Sequence, residues 1–482
     1  MKVENTELTR FSICQLRRLL DRQLLSSNEL TTTCLRALNT YNAQLGAVIT
    51  ETGKQALEAA RQYDIEQPSG VLAGIPFLVK DNICTRGIRT TCASRMLESF
   101  VPCYDATVVV RCLMHSGILL GKTNMDEFAM GSTGEHSYFG VTKNPHNTLY
   151  TPGGSSSGSA AAVAAGFAPY ALGSDTGGSV RQPAAFCGLV GMKPTYGAVS
   201  RFGLVAFASS LDQIGFLTRT VEDNALVFSE LAAKDERDAT SQTATTDTLT
   251  DLRKGVRGLK VALLTELPGV QPDPQVTFSV TRAAKLFETL GAYVCEVQMP
   301  SFSDALEAYY ILSSAEASSN LARFDGVRYG YRADGCTSID EVYTATRSLG
   351  FGEEVKRRIT LGTFVLSSGS YDAYYKRAQN VRRSVREAFE GLFDEYDLLL
   401  SPVTTRTAYA LGEMKDHVLD VYKDDSFTVP ASLAGLPALS LPCGASDMGL
   451  PIGIQLAGKA FSEPLIYKAA FALEQALSGE GR

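Results

Sequence analysis

The chain has 482 residues, 45% apolar and 20% charged, the proportions of a soluble globular protein and not of a disordered or fibrous one. Lys plus Arg is 45 and Asp plus Glu is 52, and the net charge of −7 excludes a general electrostatic grip on nucleic acid or an anionic membrane. Four scattered His argue against a His-rich metal site and limit any imidazole-based catalysis, and ten Cys without a C-x-x-C pair read as reduced, mostly buried thiols of a cytosolic protein.

Met1 to Arg10 lacks the apolar core of a signal peptide. Ser12 is expected to cap a helix through Leu16, Leu19 and Leu20, and Asn28 a second one through Leu30, Cys34, Leu35 and Leu38. Then strand-like and helix-like segments alternate. Gly46–Thr50, Ile75–Val79, Ile118–Leu120, Tyr170–Leu172 and Leu189–Val190 read as short strands. Lys54–Tyr63, Ala106–Met114 and Ser159–Gly166 read as helices. The apolar stretch Ala160–Leu172 is too short to span a membrane and is broken by Pro169. Ala233–Gly258 is polar, without apolar periodicity, and reads as a surface connection. The alternation then resumes. Strands are expected at Val261–Leu264, Ala292–Val297, Leu398–Leu400, Ala438–Leu441 and Ile452–Leu456. Helices are expected at Val276–Leu290, Asp304–Leu321, Tyr371–Phe393 and Leu465–Leu477. The pattern predicts an α/β fold, a sheet covered by helices on both faces, in one domain over 1–482.

The informative segment is Thr151–Arg181, TPGGSSSGSAAAVAAGFAPYALGSDTGGSVR. Two Gly/Ser clusters flank an Ala-rich helix and a short strand. Glycines let backbone N–H groups approach a ligand, and Ser179 stands just before a helix through Pro183 and Phe186, a placement that suits an anion site or an oxyanion hole. Simple motifs fit poorly. Gly154–Gly158 matches the G-x-S-x-G elbow, but the one downstream His is His417, beside Lys415 and Asp416. Gly117–Thr123 resembles a P-loop with one residue too few between its glycines. Gly and Ser could also merely build tight turns. A serine nucleophile needs a base, and a buried Lys can serve if desolvation lowers its pKa toward neutrality. Lys80 ends the apolar run Gly74–Val79, where the alternative is a lysine snorkelling from a strand end.

Together GIPFLVKDNI around Lys80, GGSSSGSAAAV around Ser155 and GSDTGGSVRQPAAFCGLVGMKPT around Ser179 resemble the amidase signature family. The separations, 75 residues from Lys80 to Ser155 and 24 from Ser155 to Ser179, fit its Ser–Ser–Lys triad, although position 157, commonly Gly there, is Ser here. The resemblance implies a large mixed, twisted sheet. It implies Ser179 as the acyl-forming nucleophile and Ser155, after a cis peptide bond, as the bridge to a neutral Lys80. It also implies an oxyanion hole from the N–H groups of Thr176, Gly177, Gly178 and Ser179.

Further segments, Gly121–Gly140, Glu316–Arg332, Gly350–Gln379 and Asp424–Gly444, resemble the A subunits of tRNA-dependent amidotransferases. That resemblance implies a glutaminase whose ammonia amidates Glu-tRNA(Gln) or Asp-tRNA(Asn). Its expected partners are the B subunit, which handles tRNA, ATP and Mg, and the small C subunit. No cofactor, metal or membrane is expected for this chain, and its expected place is the cytoplasm. Glutamine is a zwitterion, so its pocket needs a cation and an anion. Arg358, in the run Lys356-Arg357-Arg358, and Asp425, beside Asp424, are the candidates, with Tyr309 or Tyr310. A stand-alone amidase with another small amide substrate is the alternative.

Overall fold

The computed structural model describes residues 8–415 and 417–480. The reading of the first ten residues therefore lies partly outside it, as does Asp416. Among the described residues eleven strands join into one sheet. In chain order they are β1 (Val48–Glu51), β2 (Pro76–Lys80), β3 (Ile118–Thr123), β4 (Tyr170–Asp175), β5 (Val190–Lys193), β6 (Gln213–Thr218), β7 (Lys260–Leu263), β8 (Tyr293–Glu296), β9 (Leu398–Pro402), β10 (Ala438–Ala445) and β11 (Pro451–Gly458). Their order across the sheet is β1-β3-β2-β4-β6-β5-β10-β11-β9-β7-β8. β2 runs parallel to β3 and β4, and β7 to β8 and β9, while the other pairings are antiparallel.

Strand periodicity sends alternate side chains to opposite faces. Val261, Leu263, Leu398, Leu400, Leu439, Leu441, Ile454 and Leu456 pack into one apolar layer, with residues of the Ser27–Leu45, Ser157–Ala164, Val221–Leu231 and Glu463–Glu480 helices. Residues alternating with them, Ala262, Leu399, Ala438 and Ala457, join a second layer with the Ala305–Asn320 and Arg377–Glu395 helices. The expected mixed sheet with helices on both faces is thus present.

Local chemistry explains where the elements start. Ser12 caps its helix as expected, in a reciprocal box with Gln15. The second helix is capped by Ser26, not Asn28. Ser26 Oγ accepts from the Glu29 N–H at 3.1 Å, and the Glu29 carboxylate accepts from the Ser26 N–H at 2.9 Å. The Asn28 N–H goes instead to Asp64. Strand β6 and the helices Val221–Leu231, Ile339–Gly350 and Glu353–Leu366 were not among the expected elements. β6 is buried throughout, so it has no alternation to read. The expected Tyr371–Phe393 helix divides into a π-helical turn, Tyr371–Lys376, and the helix Arg377–Glu395. The polar 233–258 segment holds no helix or strand. Gly117–Thr123 is no phosphate loop, because its residues 118–123 form β3 and Lys122 is buried against Asp81 at 3.7 Å. No disulfide joins any of the ten Cys, six of which are buried.

Candidate active site

β2 and β4 are parallel neighbours, so their carboxyl ends lie side by side. Sheets of this kind gather ligands at such ends. Lys80 is the last residue of β2, and Ser174 and Asp175 end β4. Lys80 Nζ lies 2.8 Å from Ser155 Oγ, 2.9 Å from Ser156 Oγ and 2.9 Å from Ser174 Oγ. It also reaches the Ser174 carbonyl at 3.2 Å. Hydroxyls donate as well as accept, so these partners can serve an uncharged amine. Lys80 has no exposed surface. Burial pushes its pKa down to about 7, against the pull of Asp126, Asp175 and Asp212.

The two Gly/Ser clusters meet through the main chain. The Ser156 N–H donates to the Ser179 carbonyl at 3.1 Å. The Gly154–Ser155 peptide is cis. Gly154 has to be glycine, since a Cβ would lie 2.0 Å from Asp126 Oδ2. Ser155 is fully buried, while Ser179 keeps 9% exposure. Its hydroxyl has no hydrogen-bond partner among the described residues, which leaves it for a substrate. The elbow reading fails here, because no strand precedes the Ser157–Ala164 helix from Gly131 onward and His417 pairs with Asp420 on an exposed turn.

The loop from Thr176 to Ser179 is held at both ends. Asp175 and Arg181 form a fully buried fork, with Nε–Oδ2 at 3.0 Å and Nη2–Oδ1 at 2.9 Å. Asp175 Oδ2 also accepts the Val180 N–H at 3.1 Å, which closes the loop on itself. Burial raises the Asp175 carboxyl, but Arg181, Lys193 and the Val180 N–H outweigh it and hold the pKa below the usual range. Arg181 spends its remaining donors on the Thr428 carbonyl, Gln455 and Ser432. Thr176 donates to Asp212 at 2.7 Å. Between these anchors the glycines are in contact on one side. A Cβ on Gly177 would lie 2.6 Å from the Tyr309 ring, and one on Gly178 2.4 Å from Thr428 Oγ1.

Tyr310 connects the expected anion and cation. Its hydroxyl donates to Asp425 Oδ2 at 3.1 Å, as does that of Ser132 at 3.1 Å. The Arg358 guanidinium lies over the Tyr310 ring at 4.5 Å and beside Tyr422 at 5.1 Å. Tyr310 and Tyr422 stack with centroids 3.9 Å apart. Glu354 takes the Arg358 Nε at 2.7 Å and the Tyr422 hydroxyl at 2.8 Å. Among the described residues the Arg358 Nη atoms have no hydrogen-bond partner, so they can donate to a carboxylate. Burial and then Asp424 push the Asp425 carboxyl up to about 7, against the hydrogen bonds from Ser132 and Tyr310.

The structure separates the neighbours that sequence left open. Asp424 is engaged by Arg406 at 3.0 Å and Thr405 at 2.6 Å, away from Tyr310. Lys356 pairs with Glu353, and Arg357 is half exposed, whereas Arg358 is buried. Both tyrosines belong to the cluster, Tyr309 against the Gly177 backbone and Tyr310 on Asp425. Sequence reasoning missed Ser156, Ser174, Asp175, Arg181, Asp212, Glu354 and Tyr422. Only Asp175 and Arg181, six apart within GSDTGGSVR, carried a readable signal. Among the described residues no group of three or more His, Cys, Asp or Glu is placed to hold a metal ion, and no helix is long and apolar enough to cross a membrane.

A buried lysine on a serine, beside a second serine that keeps slight exposure under a glycine turn, is equipment for acyl transfer from an amide. The chain belongs to the amidase family, whose model, described as Amidase, matches residues 29–466. It is 52% identical over 473 residues to the glutamyl-tRNA(Gln) amidotransferase A subunit of Halothermothrix orenii, covering 98% of each chain. It is 51% identical over 470 residues to the protein of the same name from Geobacillus kaustophilus, covering 96% of this chain and 97% of that one. The crystal structure of the glutamyl-tRNA(Gln) amidotransferase A subunit from Thermotoga maritima superposes with a TM-score of 0.81 at 41% identity, over 97% of this chain and 95% of that one. A 6-aminohexanoate cyclic dimer hydrolase with bound substrate gives 0.85 at 26% identity, over 99% and 98%.

Proposed function

We propose that this chain is the glutaminase component of a tRNA-dependent amidotransferase. Ser179 Oγ attacks the side-chain amide carbon of glutamine, and its proton passes through Ser155 to neutral Lys80. The developing oxyanion is met by N–H groups of Thr176, Gly177, Gly178 and Ser179. Lys80 returns the proton to the leaving nitrogen as the C–N bond breaks, releasing ammonia and leaving a γ-glutamyl ester on Ser179. Water then cleaves the ester to glutamate along the same proton path. Arg358 takes the substrate α-carboxylate and Asp425 its α-ammonium, with Tyr309 walling the reacting end.

One observation carries the reading of the substrate. Arg358 and Asp425 both contact Tyr310, so a buried cation and a buried carboxyl face one aromatic wall beside the glycine turn. That is a zwitterion's complement, and a simple amide has no use for it. The roughly 50% identity to named A subunits supports the same reading. It extends to partner B and C subunits, with tRNA, ATP and Mg handled mainly by the B subunit, and to work in the cytoplasm, with which ten Cys joined by no disulfide agree. The family match and the continuous sheet support treating 1–482 as one domain.

The test is glutamine-dependent ammonia release by Ser179→Ala in the assembled complex. Release is expected to vanish, while added ammonium still supports tRNA amidation, and near wild-type release refutes the mechanism. A stand-alone amidase would instead keep its glutamine activity in Arg358→Ala and Asp425→Ala and turn over a simple aliphatic amide rapidly.

A further inference from the structure

The Glu353–Leu366 helix, which carries Glu354 and Arg358, has no cap of its own. Its N-cap is Gly352, without a side chain to offer. A helix start leaves N–H groups unpaired and carries partial positive charge. Glu127, distant in sequence, fills the place. Its Oε2 accepts the Gly352 N–H at 2.7 Å, and its Oε1 accepts the Ser94 hydroxyl. Ser94 Oγ also lies 3.3 Å from the Gly350 carbonyl. The fit is close, since a Cβ on Gly352 would come 2.5 Å from Glu127 Oε2. Glu127 is 4% exposed.

The preceding residue faces the triad. The Asp126 N–H donates to the Ser155 carbonyl at 3.2 Å. The Asp126 carboxyl accepts the Gly134 and His136 N–H groups, each at 3.1 Å, and packs against Gly154. One peptide bond therefore separates a contact to the bridging serine from a contact to the helix bearing Arg358.

We propose that Glu127 is a positioning residue that sets Arg358 in register with the triad and so fixes where the substrate carboxylate sits relative to Ser179. The proposal rests on the glutamine reading above. A glutamine side chain has a fixed reach, so a helix that drifts carries the carboxylate site away from the reacting carbon.

The experiment measures glutamine kinetics in the assembled enzyme, with a neutral primary amide that lacks an α-carboxylate as the second substrate. Glu127→Gln is expected to raise KM for glutamine about fivefold and to change kcat and neutral-amide turnover less than about twofold. Gly352→Ala, which keeps the carboxylate but crowds it, should give the same split, and stands in should Glu127→Gln fail to fold. In an Arg358→Ala background neither change should add a further effect. Equal losses on both substrates, or effects that multiply with Arg358→Ala, overturn the proposal. An unchanged KM in Arg358→Ala alone overturns the glutamine pocket instead.

Discussion

The mechanism requires an uncharged Lys80, and the structure assigns a magnitude to that requirement. Burial takes its pKa from 10.5 to about 7. At ~1.36 kcal/mol per unit, charging Lys80 in the folded protein costs on the order of 5 kcal/mol more than in the unfolded chain. At pH 7 about half of the side chain is free base, on the order of 10³ times the share of an ordinary lysine. The rate at which an activated acyl probe labels Ser179 should climb about tenfold per pH unit below 7 and level off above about 8. The probe needs neither Arg358 nor Asp425, so their titration does not enter. Stability gives a second readout. The folded pKa is depressed, so the unfolded chain binds this proton more tightly between pH 7 and 10.5. Wild-type stability therefore gains about 1.4 kcal/mol per unit in that window and nothing from this group outside it. Lys80→Met deletes the slope. In urea unfolding at pH 7, 8 and 9, wild type should gain on the variant by about that amount at each step. Labelling that still climbs tenfold per unit at pH 9, with stability curves that stay parallel, refutes the neutral lysine.

Asp425 yields a different acid limb. Its carboxyl is pushed up to about 7, and an ammonium ligand favours its ionised form, so glutamine affinity is complete above pH 7 and lost as pH falls. KM should rise about tenfold per unit below 7 in wild type and stay flat, at a raised value, in Asp425→Asn. Gly177→Ala puts a methyl 2.6 Å from the Tyr309 ring and should lower kcat by about 10²-fold or more. Tyr309→Ala in the same chain should recover part of the loss, and no recovery means that the collision is not the cause. Asp175→Asn leaves Arg181 buried without its counter-charge and should cost about 3–5 kcal/mol in urea unfolding. A loss under about 1 kcal/mol contradicts the anchoring role of the pair.

The triad candidates were legible because they sit in long, uninterrupted motifs at strand ends. Lys80 closes an apolar run, and the glycines around Ser155 and Ser179 declare a backbone that must come close. Apart from the Asp175–Arg181 spacing, the supports were not legible. Ser174 looks like one serine among many, and only the side-by-side ends of β2 and β4 bring it to Lys80. Glu127 lies 225 residues from the helix it caps, a pairing that no local pattern encodes. Arg358 is inseparable from Arg357 by composition, because burial distinguishes them and burial depends on the Tyr310–Tyr422 stack. The cap at Ser26 is the opposite case. Its S-x-x-E box stands in the sequence, whereas Asn28 merely stands nearer the apolar run.

The strand order has a consequence for synthesis. β10 and β11 are the last of the described strands to be made, yet they lie mid-sheet, joining β5 to β9. A ribosome must deliver residues as far as 458 before the two halves can be zipped together. Until then β5 and β9 each present an open hydrogen-bonding edge, the kind that recruits other chains. Arg181 also waits on Gln455 for one of its bonds, so the turn under Ser179 gains its full support only once residue 455 has been made. A chain that stops before β11 therefore lacks both the strand that joins the two halves of the sheet and one of the bonds that hold Arg181.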